Sequence, residues 1–214
     1  LRRRKAFAKR GLRRDPGPRD FSPVARAFLF EDTIMSLQLN TPPAAEPVTL
    51  DQAKAWLRVE SGDDEDALIA SLIPAARARC EWHTGRAFVT QGWTLWCDGP
   101  VSCLDIPLPP LQAVTAVTLY DRDGNATVLA SDAYVVDLAG SRLALKAWPA
   151  NLRAANSVAV AFTAGYGGAA DVPAPLCAAI LQIVSALYEH RGGDTVPTPD
   201  NALALLAPYR TIKL

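Results

Sequence analysis

A chain of 214 residues, half of them hydrophobic and 21% charged, can bury a core and does not have the composition of a disordered protein. Its length fits one domain with an insertion, or two small ones. No apolar run approaches the roughly 20 residues needed to span a bilayer. The four cysteines (Cys80, Cys97, Cys103 and Cys177) lack the CxxC spacing of a zinc ribbon or a thioredoxin-like site. Isolated buried thiols are expected for them, although Cys97 and Cys103 could meet across a turn.

The zero net charge conceals an asymmetry. Residues 1–34 carry ten Lys/Arg against four Asp/Glu, a net of +6, and residues 35–214 carry a net of −6. Met35, the sole methionine, stands at the boundary. The simplest expectation is that translation begins there and that residues 1–34 are an upstream extension. The alternatives are a basic nucleic-acid-binding arm and a transit peptide, the latter weakened by Pro16, Pro18 and Pro23.

From Ser36 to Pro47 the chain is proline-rich with little periodicity, and 35–47 is expected to be an extended arm. Thr49, with Gln52 three residues on, is a capping box opening a short helix whose apolar positions are Leu50, Ala53, Trp56 and Leu57. The acidic run Asp63 to Asp66 suits the start of the next helix, because a helix N-terminus favours negative charge. That helix is expected to reach Thr84, burying Leu68, Ile69, Leu72, Ile73, Ala76 and Cys80, with a bend at Pro74 and a stop at Gly85. Cys80 and His83, three apart, lack a third ligand at metal-binding spacing.

From Phe88 the period changes to two. Phe88 to Trp96, Leu104 to Leu108, Val114 to Tyr120, Thr127 to Leu129, Tyr134 to Asp137, Arg142 to Leu145 and Val158 to Thr163 read as short strands. Such spacing predicts a small antiparallel sandwich or barrel. Asp121, Asp123 and Asn125 resemble half a calcium loop, but Gly124 comes too early and position twelve holds Asp132, so a hairpin turn is the better reading. Gly165-Tyr166-Gly167-Gly168 lacks both the Lys-Ser/Thr of a P-loop and the GxGxxG pattern; it reads as the exit from the last strand.

The segment from Pro173 to Arg191 places Leu176, Ile180, Ile183, Val184 and Leu187 on one face of a helix that ends before Gly192-Gly193. Beyond a Pro/Asp loop, Ala202 to Ala207 reads as a helical turn, and the apolar Leu203, Leu205, Leu206 and Ile212 lie close to the end of the chain. Such a segment suits docking onto a neighbour. Neither His83 nor His190 has a Ser or Cys that the sequence places beside it, so no nucleophile–base pair is legible and no cofactor or enzymatic activity is expected.

The order of these parts resembles the head–tail connector (adaptor) proteins of long-tailed bacteriophages and of phage-like gene transfer agents, over roughly Pro47 to Arg191. The passages that carry the resemblance are ARCEWHTGR (Ala78 to Arg86), TAGYG, and the P-x-x-x-x-A-I…L-Y-E-H-R helix; none is catalytic. The fold it implies is α+β: a helical core built from 48–87 and 169–193, a β insertion at 88–168, and a tail at 194–214. It further implies a homo-oligomeric ring, usually of twelve copies, beneath the portal vertex in the neck of the particle. Its partners would be the portal protein and a stopper or tail component, with DNA passing through the lumen.

Carried onto this chain, the portal-facing residues would be Leu203, Leu205, Leu206, Tyr209, Arg210, Ile212 and Leu214. The subunit interfaces would use the long helix and the β insertion, with Arg77, Arg79, Arg86 and Arg191 as candidates for intersubunit ion pairs. The net of −6 over 35–214 argues against a grip on DNA. A competing expectation is a ligand- or carbohydrate-binding β module on a helical scaffold, suggested by Trp93, Trp96 and Trp148, although tryptophans are more often core.

Overall fold

Thr49 opens the first helix as its spacing requires. Its Oγ1 accepts from the Gln52 N–H at 3.2 Å, and Gln52 Oε1 accepts from the Thr49 N–H at 2.9 Å. This capping box starts α1 (Leu50–Leu57), which closes on Arg58 in the left-handed region. The computed structural model describes residues 35–59, 65–101, 103–190 and 196–211, all within one compact unit, Thr33–Leu214. Residues 1–34, and with them the expectations about that segment, lie outside the described residues.

Helix α2 (Asp66–Thr84) runs through Pro74 without interruption and ends at Gly85, whose φ of 68° suits glycine. Its buried face is Ile69, Ile73, Ala76, Cys80 and Thr84; Leu68 and Leu72 are only half-buried. Lys54 Nζ reaches Asp66 Oδ1 at 2.5 Å and ties α1 to α2. After the β region come α3 (Ala174–Glu189), with Pro173 at its N-cap, and α4 (Asp200–Leu206), continued by one 3-10 turn, Ala207–Tyr209. Ile69, Ile73, Ala76 and Cys80 of α2 join Leu176, Ile180, Ile183 and Val184 of α3 and Ala202 and Leu206 of α4 in one helical core.

The strands between the helices are β2 (Gln91–Cys97), β3 (Leu104–Asp105), β4 (Leu111–Tyr120), β5 (Ala126–Val128), β6 (Tyr134–Asp137), β7 (Arg142–Leu145) and β8 (Val158–Ala164). They are joined by a strand the sequence reading took for an extended arm, β1 (Met35–Thr41), antiparallel to β2. The sheets are β1-β2-β8-β4-β5 and β3-β7-β6, antiparallel throughout. Leu95, Val117, Val160 and Phe162 from the larger sheet share a second core with Leu104 and Leu143 from the smaller one. The β insertion is therefore a sandwich rather than a barrel, and the fold class is α+β.

The two cores meet where α2 gives way to β2. Ala87 belongs to the β core, whereas Phe88 and Val89 belong to the helical one. The glycine-rich exit of β8 is built into this junction. Gly165 donates to Pro110 O at 2.9 Å, Tyr166 to Phe88 O at 2.8 Å, and Thr90 to Gly167 O at 2.9 Å. Gly165 has φ 133°, and a Cβ there would lie 2.5 Å from Val89 O. Close backbone approach accounts for the glycine.

Candidate functional site

The described residues offer little chemistry and several surfaces. No group of three or more His, Cys, Asp or Glu among them could hold a metal. Burial pushes the Cys80 thiol up to about 12, with Glu81 adding to the shift, and the Cys97 thiol up to about 11. Neither is a ready thiolate near neutral pH. Cys103 is exposed and Cys177 half-buried, and all four are free. The loop that resembled half a calcium site spends its carboxylate on the turn itself. Asp121 Oδ1 accepts from the N–H groups of Asp123 at 2.9 Å and Asn125 at 2.8 Å, and Oδ2 accepts from Asn125 Nδ2 at 2.9 Å. The Asn125 side-chain bond, first among these, lowers the pKa of Asp121.

The arginines expected at subunit interfaces find partners inside the chain. Arg77 Nε reaches Glu46 Oε2 at 2.7 Å, and its Nη1 pairs with Glu81, one turn on. Glu81 Oε1 also accepts from the Phe88 N–H at 2.8 Å and from Gln91 Nε2 at 2.6 Å. Burial pushes the Glu81 carboxyl above the usual carboxylate range, opposed by these donors and by Arg77. With its side chain only 11% exposed, Arg77 is engaged within the chain by this cluster. Arg79 Nη2 donates to Val196 O at 2.6 Å and Arg86 Nε to Tyr209 O at 2.5 Å. These two arginines anchor the tail rather than meet a carboxylate. Arg191 lies outside the described residues.

The tail itself is folded onto its own core. Thr211 N–H donates to Thr84 O at 2.8 Å, and Thr211 Oγ1 to Gly85 O at 3.4 Å. Leu206 is fully buried, so this residue of the expected portal-binding set belongs to the helical core. Leu203, Leu205 and Tyr209 are half-buried and Arg210 is exposed. Ile212 and Leu214 lie outside the described residues.

As core packing requires, Trp93 and Trp148 pack on the β core. Trp96 lies against Tyr120 with ring centroids 5.6 Å apart. Trp56, one of the apolar positions of α1, is exposed, while Ala53 and Lys54 take the inner positions. Trp82 is 87% exposed on α2 and was not singled out. The alternation of Met35, Leu37 and Leu39 with Ser36, Gln38 and Asn40 was the missed signal for β1.

Cys80 and Cys97 are thus buried, the Asp121 carboxylate closes its own turn, and Arg77, Arg79 and Arg86 are paired within the chain. Residues 47–128, from just before α1 through β5, match the model of the phage gp6-like head–tail connector protein family. No curated protein matches the chain. Among solved structures, a chain in the neck of an empty gene transfer agent (GTA) particle computed with C6 symmetry is 27% identical with a TM-score of 0.67. The match covers 84% of this chain and 97% of that one. A chain in the virion of a native GTA particle is 26% identical with a TM-score of 0.67, covering 83% and 96%. One in the neck of a native GTA particle computed with C12 symmetry is 28% identical with a TM-score of 0.63, covering 83% and 97%.

Proposed function

We propose that this chain is the structural adaptor of a phage-like or gene-transfer-agent neck, forming a ring under the portal vertex and linking the capsid portal to the stopper or tail. The observation that carries this reading is the near-complete coverage of neck chains, 97% of their length, by a chain that also matches the connector family model. Its work is non-enzymatic, and DNA passes through the lumen without specific adhesion, in keeping with the net of −6 over residues 35–214. The tail presents Leu203, Leu205, Tyr209 and Arg210 to the portal, held in place by Arg79 and Arg86, and Ile212 and Leu214 extend the same contact.

The test is sedimentation of the full chain with portal protein, against Arg210→Glu and a chain ending at Thr211. The parent chain should co-sediment and both variants should bind the portal at least ~10-fold more weakly, the loss of one charge-assisted or well-packed contact. Equal binding by all three would remove the tail from the portal contact. Absence of binding even by the parent chain would count against the adaptor role.

A further inference from the structure

The inner face of the larger sheet continues past the edge of its cover. Residues directly opposite each other in an antiparallel pair point to the same face. Leu37 stands opposite Leu95, Leu95 opposite Val160, and Val160 opposite Val117. The last three are fully buried, whereas Leu37 is 39% exposed. The next row behaves alike: Cys97, Val158 and Leu119 are buried, and Met35, in line with them, is exposed. Leu39, also exposed, stands opposite the half-buried Trp93, which stands opposite the buried Phe162. An apolar surface patterned for burial is therefore open along β1. The strand carries neither charge nor proline, so it lacks the usual devices that keep an exposed edge from pairing.

We propose that β1 is one half of a head-to-tail contact between copies of this chain, and that it docks along β5, the opposite edge of the same sheet, in the next copy. This deepens, and rests on, the ring reading above. A closed ring of many copies uses a heterologous interface, so each subunit must offer two different patches facing opposite ways. The strand order makes β1 and β5 the two edges of one sheet. Among the described residues, eight large apolar side chains are exposed; Met35, Leu37 and Leu39 are on β1 and Val128 is on β5, so four of them lie on the two edge strands of this sheet.

Every neighbouring pair in the larger sheet is antiparallel, so β1 and β5 run the same way. Successive copies turned by a small angle about a ring axis bring β5 of one copy and β1 of the next together in parallel, a pairing that mixed sheets accommodate.

The test is analytical ultracentrifugation of the full chain, alone and added to portal-bearing heads that lack it. The samples are the parent chain, Leu37→Lys, Val128→Pro, and an equal mixture of the two variants. Circular dichroism confirms that each variant is folded, and Leu39→Gln replaces Leu37→Lys if that variant is not. Each variant alone should lose self-association by ~10-fold or more, since the first forces a charge into an apolar contact and the second removes an N–H from the free edge of β5. The mixture should form pairs and nothing larger, because each variant keeps the half the other has lost. If the parent chain forms rings and both variants do so equally well, the face is covered by something else, such as residues 1–34 or another neck protein. The surface is then wrong while the ring reading stands. A mixture that stays monomeric also overturns the head-to-tail pairing. A parent chain that assembles neither alone nor on portal-bearing heads overturns the ring reading and this proposal together.

Discussion

Replacing Glu81 by Ala tests whether the acidic cluster at the junction of the two cores is structural. The substitution strands the N–H of Phe88, a fully buried residue, and the Nε2 of Gln91, which is 3% exposed. A stranded buried donor costs about 1–3 kcal/mol. Arg77 keeps Glu46, so its loss is smaller, and removing a carboxyl whose pKa burial has raised returns part of the cost. The expected net loss is about 2–4 kcal/mol, or a Tm about 5–15 °C lower for a domain of this size. Urea denaturation followed by tryptophan fluorescence, with calorimetry alongside, measures it. Glu81→Gln, which keeps an oxygen acceptor, should cost less than half as much. A loss under about 0.5 kcal/mol for Glu81→Ala would show that the cluster is solvated and the junction is held elsewhere.

The same carboxyl sets a pH dependence. Its folded-state pKa is raised above the ordinary 4.5, mainly by burial, so its contribution is fully present below that value and is lost as pH rises through the folded-state pKa. Stability relative to Glu81→Gln should therefore fall as pH is raised from 4 towards neutrality; a flat difference in the denaturation midpoints would contradict this. Gly165→Ala forces a Cβ to within 2.5 Å of Val89 O at a φ that L-residues avoid, and should cost at least ~2 kcal/mol, read from the thermal midpoint. Leu206→Ala should cost about 2–5 kcal/mol if α4 belongs to the core, and much less if the tail is only loosely laid on it. Trp82→Ala, at a position 87% exposed, should change stability by no more than about 0.5 kcal/mol in the same assay.

Local signals carried well from sequence to structure where the cause was local. The Thr49–Gln52 capping box, the Gly85 stop, the Asp121 turn and the α3 face each depend on residues within a turn or two of one another. Contacts made across the fold were not legible. Arg79 and Arg86 were expected at subunit interfaces, whereas their acceptors, the carbonyls of Val196 and Tyr209, lie in the same chain 117 and 123 residues away in sequence. Leu206 was read as a docking residue because proximity to the end of the chain says nothing about which core it enters. Met35 to Thr41 was not legible as a strand, despite its alternation, because its partner β2 lies far along the chain and the prolines that follow, Pro42 and Pro43, favour an extended arm. The family resemblance supplied what spacing alone could not, a function without a catalytic constellation.

The adaptor role is tested most directly by joining heads to tails in vitro. DNA-filled heads from cells lacking this chain are mixed with free tails, with and without the purified full chain, and joined particles are counted by electron microscopy. An adaptor requires joined particles only when the chain is added, with density for it between portal and tail. Equal joining without the chain, or joined particles whose neck contains none of it, would contradict the role.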